Sequence, residues 1–456
     1  MEFASVFFIE IFLPVTLVVY YLLGFIRNEA AQKKSRNIFL LAVSLIFYAY
    51  GGIYPLLLFV ATIVLNYAAG IFLDRADTPG TRKRRKRIFI GTVLINVLLL
   101  VFFKYFNMMI TMIEIFASGE NLGGIIDGLL KFEGTGALGV KQIAMPLAIS
   151  FITFQSISYL ADVYTKKTAA SKSPLQFALY MSLFAQMTQG PIMRYGDLGA
   201  QITDRKHDLQ KFLHGLKRFS YGLAKKVLIA NTVAKAADDI WAIKDFDAMG
   251  SGIAWLGLIL YTLQIYYDFS GYTDMAVGVG AMFGFDIAEN FNYPYTSFSI
   301  QEFWRRWHMS LSFWFRDYIY IPMGGSRCGR MRIFFNLFTV FLLTGIWHGA
   351  NLTFILWGLL FALFSIIERA FLGDLLKKNP VKPLNWLYMT FVVMMGWVLF
   401  RAPNLSLAGK YFRQLFSFKA SSSGLTVLSY INMEVLVALI AGILLVGFIQ
   451  RPLAKT

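Results

Sequence analysis

The stretch FFNLFTVFLLTGIWHGANLTFILWGLLFALFSII (residues 334–367) contains two long apolar runs that meet at a short polar turn. Each run approaches the roughly 20 residues that an α-helix needs to cross the hydrocarbon core of a bilayer. His348, one of only four histidines in 456 residues, stands where the two runs meet. The stretch therefore predicts a helical hairpin in the membrane that carries a titratable side chain between its two arms.

The composition extends this interpretation to the whole chain. Hydrophobic residues make up 57% of it and charged residues 15%, and the mean hydropathy is +0.57. Soluble proteins average about 45–50% apolar and about 25% charged residues. The first apolar run, residues 4–26, lacks the basic start and small-residue cleavage site of a signal peptide, so we interpret it as a retained span. The sequence predicts an all-α polytopic membrane protein with about eleven transmembrane helices.

The net charge of +17 could indicate a nucleic-acid partner, but its distribution favours a different explanation. Lysine and arginine collect in loops such as RKRRKR (82–87), as expected of loops on the cytoplasmic side. We therefore expect no nucleic-acid partner and contact with membrane lipid instead. The same asymmetry places the N-terminus outside and the C-terminus inside.

Two regions do not fit simple crossings. If residues 175–193 crossed fully, the basic stretch 194–226 would lie outside, so we predict a re-entrant hairpin there, followed by an amphipathic helix that begins at Leu209. Residues 270–332 contain only short apolar pieces broken by glycine, proline and charge. We interpret them as broken or re-entrant helices inside the bundle. Because we find no repeat or linker, residues 1–456 are predicted to form one membrane domain.

Two histidines are the candidates for chemistry. A titratable side chain at the depth of His348 is costly in lipid, and by default it faces a bundle interior or a water-filled cavity. His308 lies in WRRWHMSLSFWFRD (304–317), which suits a passage that binds a phosphate-bearing or thioester ligand. The alternatives are a neutral histidine bonded between helices at 348 and an interfacial belt of aromatic and arginine residues around 308. His207 and His214 are expected to face solvent.

The chain lacks the motifs of several enzyme classes. It has no GxSxG, no HExxH and no phosphate-binding GK[ST] loop. Its single cysteine, Cys328, rules out a CxxC metal site, and we predict no metal ligands. What remains is a histidine that acts as a general base, so that a hydroxyl attacks an activated acyl group.

Several long motifs resemble the membrane-bound O-acyltransferase family, in particular bacterial alginate and peptidoglycan O-acetyltransferases. They are DFSGYTDMA (268–276), FNYPY (291–295), SIQEFWRRWHMSLSFWFRDYIYIPMGG (299–325) and GIWHGAN (345–351). The resemblance implies a helical bundle around a central channel, with a core at about residues 145–370 in a bacterial plasma (inner) membrane. It places the catalytic histidine at His348 and a second active-site histidine at His308.

The resemblance also implies the reactants. The donor would be acetyl-CoA or an acyl-carrier thioester, with no permanently bound cofactor. The acceptor would be a polysaccharide, reached through an extracytoplasmic or membrane-tethered partner acetyltransferase with an SGNH-like domain. The substrate-binding residues would be Trp304, Arg305, Arg316, Asp317, Asp268 and Asn351. We expect the arginines to contact donor phosphates and Asp268 or Asp317 to fix a histidine tautomer.

Three other functions remain open at this point. A related enzyme of the same family transfers D-alanine to teichoic acid. A polysaccharide or lipid transporter also uses broken helices and ionisable residues within the membrane. A structural scaffold for an exopolysaccharide complex would need neither histidine.

Overall fold

The structure is a computed structural model that describes residues 2–75, 80–117, 145–422 and 424–447. Within these ranges the chain is helical and contains no β-strand. The α-helices are α1 (Leu13–Leu22), α2 (Glu29–Ala49), α3 (Ile53–Arg75), α4 (Arg82–Ala117), α5 (Ile149–Tyr164), α6 (Pro174–Ser182), α7 (Phe184–Met187), α8 (Tyr195–Thr203), α9 (Leu209–Ala224), α10 (Asn231–Trp241), α11 (Phe246–Met249), α12 (Ser251–Met282), α13 (Ile300–Arg306), α14 (Met309–Phe315), α15 (Arg330–His348), α16 (Leu352–Ile367), α17 (Gly373–Lys378), α18 (Lys382–Arg401), α19 (Leu405–Leu415) and α20 (Met433–Leu445).

Short segments of other helix types join several of these elements. The π-helical turns are Phe8–Phe12, Lys225–Ala230, Arg316–Tyr320 and Glu368–Leu372, and the 3₁₀ turns are Leu23–Phe25, Pro294–Thr296 and Val427–Tyr430. Three of the π turns continue a preceding α-helix without a break, so the chain stays helical from α9 to α10, from α14 to Tyr320 and from α16 to α17. π turns inside helices are often found at functional sites.

Six helices of the described chain are long and apolar enough to cross a membrane. They are Phe8–Phe25, Ile53–Arg75, Arg82–Ile110, Arg330–His348, Leu352–Lys378 and Lys382–Arg401. The protein is therefore a multi-pass helical membrane protein, as its composition predicts. The other predicted crossings remain predictions, because α5 is only 16 residues long and α12 carries Asp268 and Asp274. The glycine-rich stretch 118–140, whose three acidic residues predict an outer loop, lies outside the described residues.

The described residues form two compact units. The first comprises the described parts of 1–103, 144–223 and 271–289, and the second those of 104–143, 224–270 and 290–456. In the first unit, glycines bring α9 against α12: a Cβ on Gly222 would lie 2.5 Å from the Gly271 carbonyl oxygen, and one on Gly215 2.6 Å from that of Gly278. Small residues that let helix backbones touch are typical of membrane helix packing.

Polar pairs and a helix break complete the first unit. Asn66 on α3 and Asn96 on α4 are buried and exchange two hydrogen bonds, of 3.1 and 2.9 Å. Such pairs satisfy amide groups that lipid cannot solvate. Within residues 175–193, the helix breaks at Leu183, between α6 and α7, and α7 ends at Met187. The re-entrant hairpin predicted for this stretch stays a prediction. The helix predicted from Leu209 is α9, which leaves Leu209 70% exposed.

In the second unit, α15 and α16 form the predicted hairpin. A Cβ on Gly345 would lie 2.5 Å from the Phe354 carbonyl oxygen, so the two helix backbones are in direct contact. The region between α12 and α15 is broken into short helices, as expected from its glycine, proline and charge. His308 adopts a left-handed backbone conformation (φ 45°) between α13 and α14 and turns the chain from one helix into the next.

Candidate active site

His348 is the last residue of α15 and lies at the turn of the hairpin. Its ring packs among aromatic side chains, with centroids 4.9 Å from Trp357, 4.9 Å from Phe400 and 4.5 Å from Trp347. The imidazole stays partly exposed within this aromatic surround. A titratable ring is therefore held by apolar walls while part of it remains accessible to a reactant.

Two residues of α4, Lys104 and Tyr105, lie beside this turn, and neither is among the residues predicted from the sequence. Lys104 Nζ lies 5.2 Å from the centre of the Trp347 ring, and its charge interacts electrostatically with His348. The Tyr105 hydroxyl donates to the Ile346 carbonyl and lies 3.4 Å from that of Gly349. A signal was available, since VFFKYF (101–106) places a lysine inside an apolar run, where ionisable residues are usually functional.

His308 is buried, and one of its ring nitrogens is fixed by Asn290. Its Nδ1 lies 3.1 Å from Asn290 Oδ1, which also accepts hydrogen bonds from the Ser310 backbone N–H at 3.1 Å and hydroxyl at 2.9 Å. Because the oxygen of Asn290 faces the ring, Nδ1 carries the proton and Nε2 has a free lone pair.

The two histidines and Trp304 belong to one neighbourhood. The imidazoles of His308 and His348 are close enough to interact electrostatically. Trp357, which contacts His348, also meets Trp304 edge to face at 5.5 Å. Across the described ranges, the buried polar atoms without a hydrogen-bond partner include four here: His308 Nε2, Trp304 Nε1, Trp357 Nε1 and Asn290 Nδ2. Buried polar atoms are normally paired, so three free donors and one free acceptor suit a polar reactant.

The other predicted residues have partners of their own. Arg316 binds Asp317 through two contacts, of 2.6 and 3.2 Å, and Asp268 pairs with Lys226. Asn351 donates to the Pro403 carbonyl at 2.8 Å, which ties the hairpin turn to the end of α18. The tautomer of His308 is set by Asn290, and the role of Asp268 or Asp317 in fixing a histidine tautomer stays a prediction.

Arg305 is exposed, and its position depends on a residue that the sequence did not reveal. Glu368 is buried, and its carboxylate accepts hydrogen bonds from the backbone N–H groups of Ile300 at 2.6 Å and Gln301 at 2.9 Å. It therefore caps the first turn of α13, the helix that carries Trp304 and Arg305. A charged acceptor at a helix N-terminus also interacts favourably with the helix dipole.

These features define a class of protein. A helical membrane protein that holds two neighbouring histidines among aromatic rings, one buried and one partly exposed, with unpaired donors beside them, is suited to catalysing a transfer reaction within the membrane. Comparison with known proteins identifies which class of transferase it is. Residues 43–409 match the model of the membrane-bound O-acyltransferase family, and the chain belongs to that family. It is an O-acyltransferase.

Individual relatives are similar over most of the chain. Probable alginate O-acetylase AlgI of Pseudomonas aeruginosa is 40% identical over 449 residues, which is 98% of this chain and 80% of that protein. Peptidoglycan O-acetyltransferase of Helicobacter pylori is 34% identical over 433 residues, or 88% of this chain and 77% of that protein. Teichoic acid D-alanyltransferase of Bacillus subtilis is 31% identical over 237 residues, covering 49% of this chain and 59% of that protein.

Proposed function

We propose that this protein transfers an acetyl or short acyl group from a cytoplasmic thioester across the membrane, for O-acetylation of an extracytoplasmic polysaccharide such as alginate or peptidoglycan. The names of two similar proteins supply the substrate class. The observation that carries the proposal is the pairing of a partly exposed His348 with a His308 whose Nε2 is unpaired. The ring of His348 is accessible to a reactant, and Nε2 of the nearby His308 can accept a hydrogen bond from it.

His348 acts as the general base in this proposal. It removes the proton from the acceptor hydroxyl as that oxygen attacks the thioester carbonyl carbon. The new C–O bond forms, the C–S bond breaks, and the proton passes from the imidazolium to the departing thiolate. A wall of aromatic rings excludes water, which limits hydrolysis of the thioester.

The unpaired polar groups take up the other reacting atoms. The indole N–H groups of Trp304 and Trp357 donate to the carbonyl oxygen as negative charge develops on it. His308 accepts a hydrogen bond at Nε2, from the attacking hydroxyl or from the amide of the donor arm, and so orients it. The ammonium group of Lys104 adds positive charge near the reaction centre.

Donor binding is assigned to the surface of the broken helices. Arg305 is an exposed residue and the side chain of Arg316 is 53% exposed, so either guanidinium can reach the phosphates of acetyl-CoA or of an acyl carrier. Asp317 and Asp268 would hold Arg316 and Lys226 in place, and Asn351 would hold the hairpin turn. No permanently bound cofactor is required. The acceptor side is assigned to a partner acetyltransferase with an SGNH-like domain, outside the cell or tethered to the membrane.

The proposal includes a topology. It has about eleven crossings of a bacterial inner membrane, with re-entrant segments around a central channel, the N-terminus outside and the C-terminus inside. The basic loops support this orientation, and the broken helices α6–α7 and α13–α14 support the re-entrant segments. Family membership favours the enzyme over the transporter and the scaffold. D-alanyl transfer is second, because the D-alanyltransferase matches only 49% of the chain.

The experiment measures acetate esters on extracellular polysaccharide from cells that carry His348→Ala in place of the native protein. We expect esters to fall to the level of a deletion strain. His214→Ala is the matched control, because His214 is exposed on α9, and it should retain wild-type esters. Wild-type ester content in the His348→Ala strain, at equal abundance of the protein in membranes, would refute the catalytic role.

A further inference from the structure

A pocket of about 300 Å³ lies in the first unit, where the start of α2 meets residues 202–207. Its lining includes Lys33, Arg36, Arg205 and His207, together with Glu29 and Asp204. None of these residues belongs to the neighbourhood of His308 and His348. The pocket therefore needs an explanation of its own.

The positive charges inside this pocket are not balanced by carboxylates. Glu29 and Asp204 both pair with Lys33, at 2.8 and 3.0 Å, and both are 78% exposed. Arg205 instead donates to neutral groups, the Tyr20 hydroxyl at 2.9 Å and Asn37 Oδ1 at 2.8 Å.

Arg36 completes the cationic interior. It donates to the Tyr20 carbonyl at 3.3 Å, and in the described chain it forms no ion pair with a carboxylate. The guanidinium carbons of Arg36 and Arg205 lie 5.0 and 5.7 Å from the centre of the same Tyr20 ring. Two like charges held together, both partly buried, are costly unless an anion joins them.

His207 adds no acid to this pocket. Its Nε2 lies 2.7 Å from the Tyr20 hydroxyl, and the ring is partly buried rather than facing solvent as expected from the sequence. Burial, followed by the charges of Arg36 and Arg205, lowers the pKa of His207 to about 4. The ring is neutral at physiological pH, so the two guanidinium groups remain uncompensated within the pocket.

The position of the pocket at the end of a membrane span indicates the source of the anion. The apolar span Phe8–Phe25 ends beside it, and Gln32 donates to the Gly24 carbonyl there. The Arg36 guanidinium occupies the space that a side chain at position 24 would fill, so Gly24 gives it access. The end of a membrane span is the level of lipid headgroups, and basic pockets between helices on the cytoplasmic side bind anionic headgroups.

We propose that this pocket binds the phosphate of an anionic phospholipid, with Arg36 and Arg205 as its ligands. Their free N–H groups match the oxygens of a phosphate, which guanidinium binds in a bidentate manner. A soluble phosphate shares this chemistry, and the experiment separates the two sources. The site is independent of acyl transfer, so either proposal can fail without the other.

The test uses purified full-length protein, stripped of lipid in dodecyl maltoside and mixed with phosphatidylglycerol, phosphatidylcholine or inorganic phosphate. Native mass spectrometry counts the bound molecules. We expect phosphatidylglycerol to be retained in preference to phosphatidylcholine. Arg36→Gln should lower its retention roughly fivefold or more, the effect of losing one basic contact with an anionic lipid. Lys34→Gln, which removes an exposed charge two residues away, should leave retention within about twofold of wild type.

Arg36→Lys keeps the positive charge, so this variant should retain more lipid than Arg36→Gln. The comparison separates the loss of the charge from a loss of folded protein. Equal retention of the two lipids by the wild-type protein would overturn the proposal without any variant. Equal losses in Arg36→Gln and Lys34→Gln would overturn it as well. Stoichiometric binding of inorganic phosphate, with no preference for phosphatidylglycerol, would support the phosphate site and refute the lipid source.

Discussion

Asn290 holds His308 in one tautomer: its side-chain oxygen lies 3.1 Å from Nδ1 of the ring and accepts two further hydrogen bonds from Ser310. The proton is thereby kept on the nitrogen that faces the protein, and the lone pair stays on Nε2. The backbone supports the same arrangement, since Met309 N–H donates to the Asn290 carbonyl at 2.9 Å. Asn290 is therefore a positioning residue of the candidate active site.

Replacing Asn290 by leucine should reduce acetyl transfer because it removes the acceptor that fixes the ring. We expect a fall of roughly 10- to 100-fold in esters formed per unit of protein, which is what a misplaced reacting group costs. Asn290→Asp keeps the acceptor and should retain more activity than Asn290→Leu. Ser310→Ala removes one donor but leaves the ring contact, so it serves as the control. Equal activity of Asn290→Leu and wild type would exclude a positioning role.

Lys104→Met should slow the reaction while leaving the fold intact. Methionine preserves the apolar stem of the side chain but removes the charge beside His348, and losing one stabilising charge typically costs about 10²–10³-fold in rate. Lys104→Arg should retain part of the activity. Tyr105→Phe is the neighbouring control, since it removes a hydrogen bond to the backbone worth about 1 kcal/mol and no charge. A Lys104→Met protein as active as wild type would remove Lys104 from the mechanism.

Glu368→Leu should destabilise the protein, because the backbone N–H groups of Ile300 and Gln301 would lose their buried acceptor. An unsatisfied buried donor costs about 1–3 kcal/mol. The midpoint of thermal unfolding in detergent should fall clearly, and acetyl transfer should fall with it, since α13 carries Trp304. Glu434→Leu changes an exposed acid in the first turn of α20 and should leave the midpoint nearly unchanged. Matching midpoints for the two variants would contradict the capping role.

Gly345→Ala should disrupt the hairpin that carries His348. The added Cβ would lie 2.5 Å from the Phe354 carbonyl oxygen. This distance is shorter than a van der Waals contact, so the two helices would have to move apart. We expect a lower yield of folded protein and little acetylation. Gly409→Ala, on the exposed surface of α19 with nothing within 4 Å of the new Cβ, should instead raise stability by up to about 1 kcal/mol through helix propensity. Gel filtration and unfolding midpoints distinguish these outcomes, and a stable Gly345→Ala protein would show that the helices can separate.

Acidification should destabilise the protein partly through His207. Its pKa is about 4 in the folded state, below the ordinary value of 6.5, so the folded protein resists taking up a proton that the unfolded chain accepts. Above pH 6.5 neither state is charged at this ring; as the pH falls toward 4, stability is lost. His207→Asn should flatten this dependence between pH 7.5 and 5, whereas His214→Asn should not. An unchanged slope in His207→Asn would exclude this contribution.

Much of the architecture could be predicted because it depends on local sequence. The length of the apolar runs predicts the hairpin of α15 and α16, and the broken pattern around His308 predicts short helices. Asn290 and Glu368 could not be predicted in this way. Asn290 lies 18 residues from His308, and Glu368 lies 68 residues from Ile300, so only the folded chain brings them together. Lys104 was visible as a lysine within an apolar run, but nothing local connects it to His348.

Polar residues also proved harder to place than apolar ones. Arg316 is predicted to contact donor phosphates and Asp268 to fix a histidine tautomer, and the structure adds a partner that the sequence does not reveal for Asp268, namely Lys226. His207 was expected in solvent and lies against Tyr20. Charge and residue type predict that such side chains need a partner, but the identity of the partner is set by packing over long sequence distances.

The contact between the backbones of α15 and α16 limits how the candidate active site can open. Because the helix backbones touch at Gly345, sliding of one helix along the other would bring main-chain atoms into collision, and the turn that carries His348 moves with the hairpin as a unit. Rotation of the aromatic side chains that contact His348, such as Trp357 and Phe400, would change access to its ring without any displacement of the two helix axes.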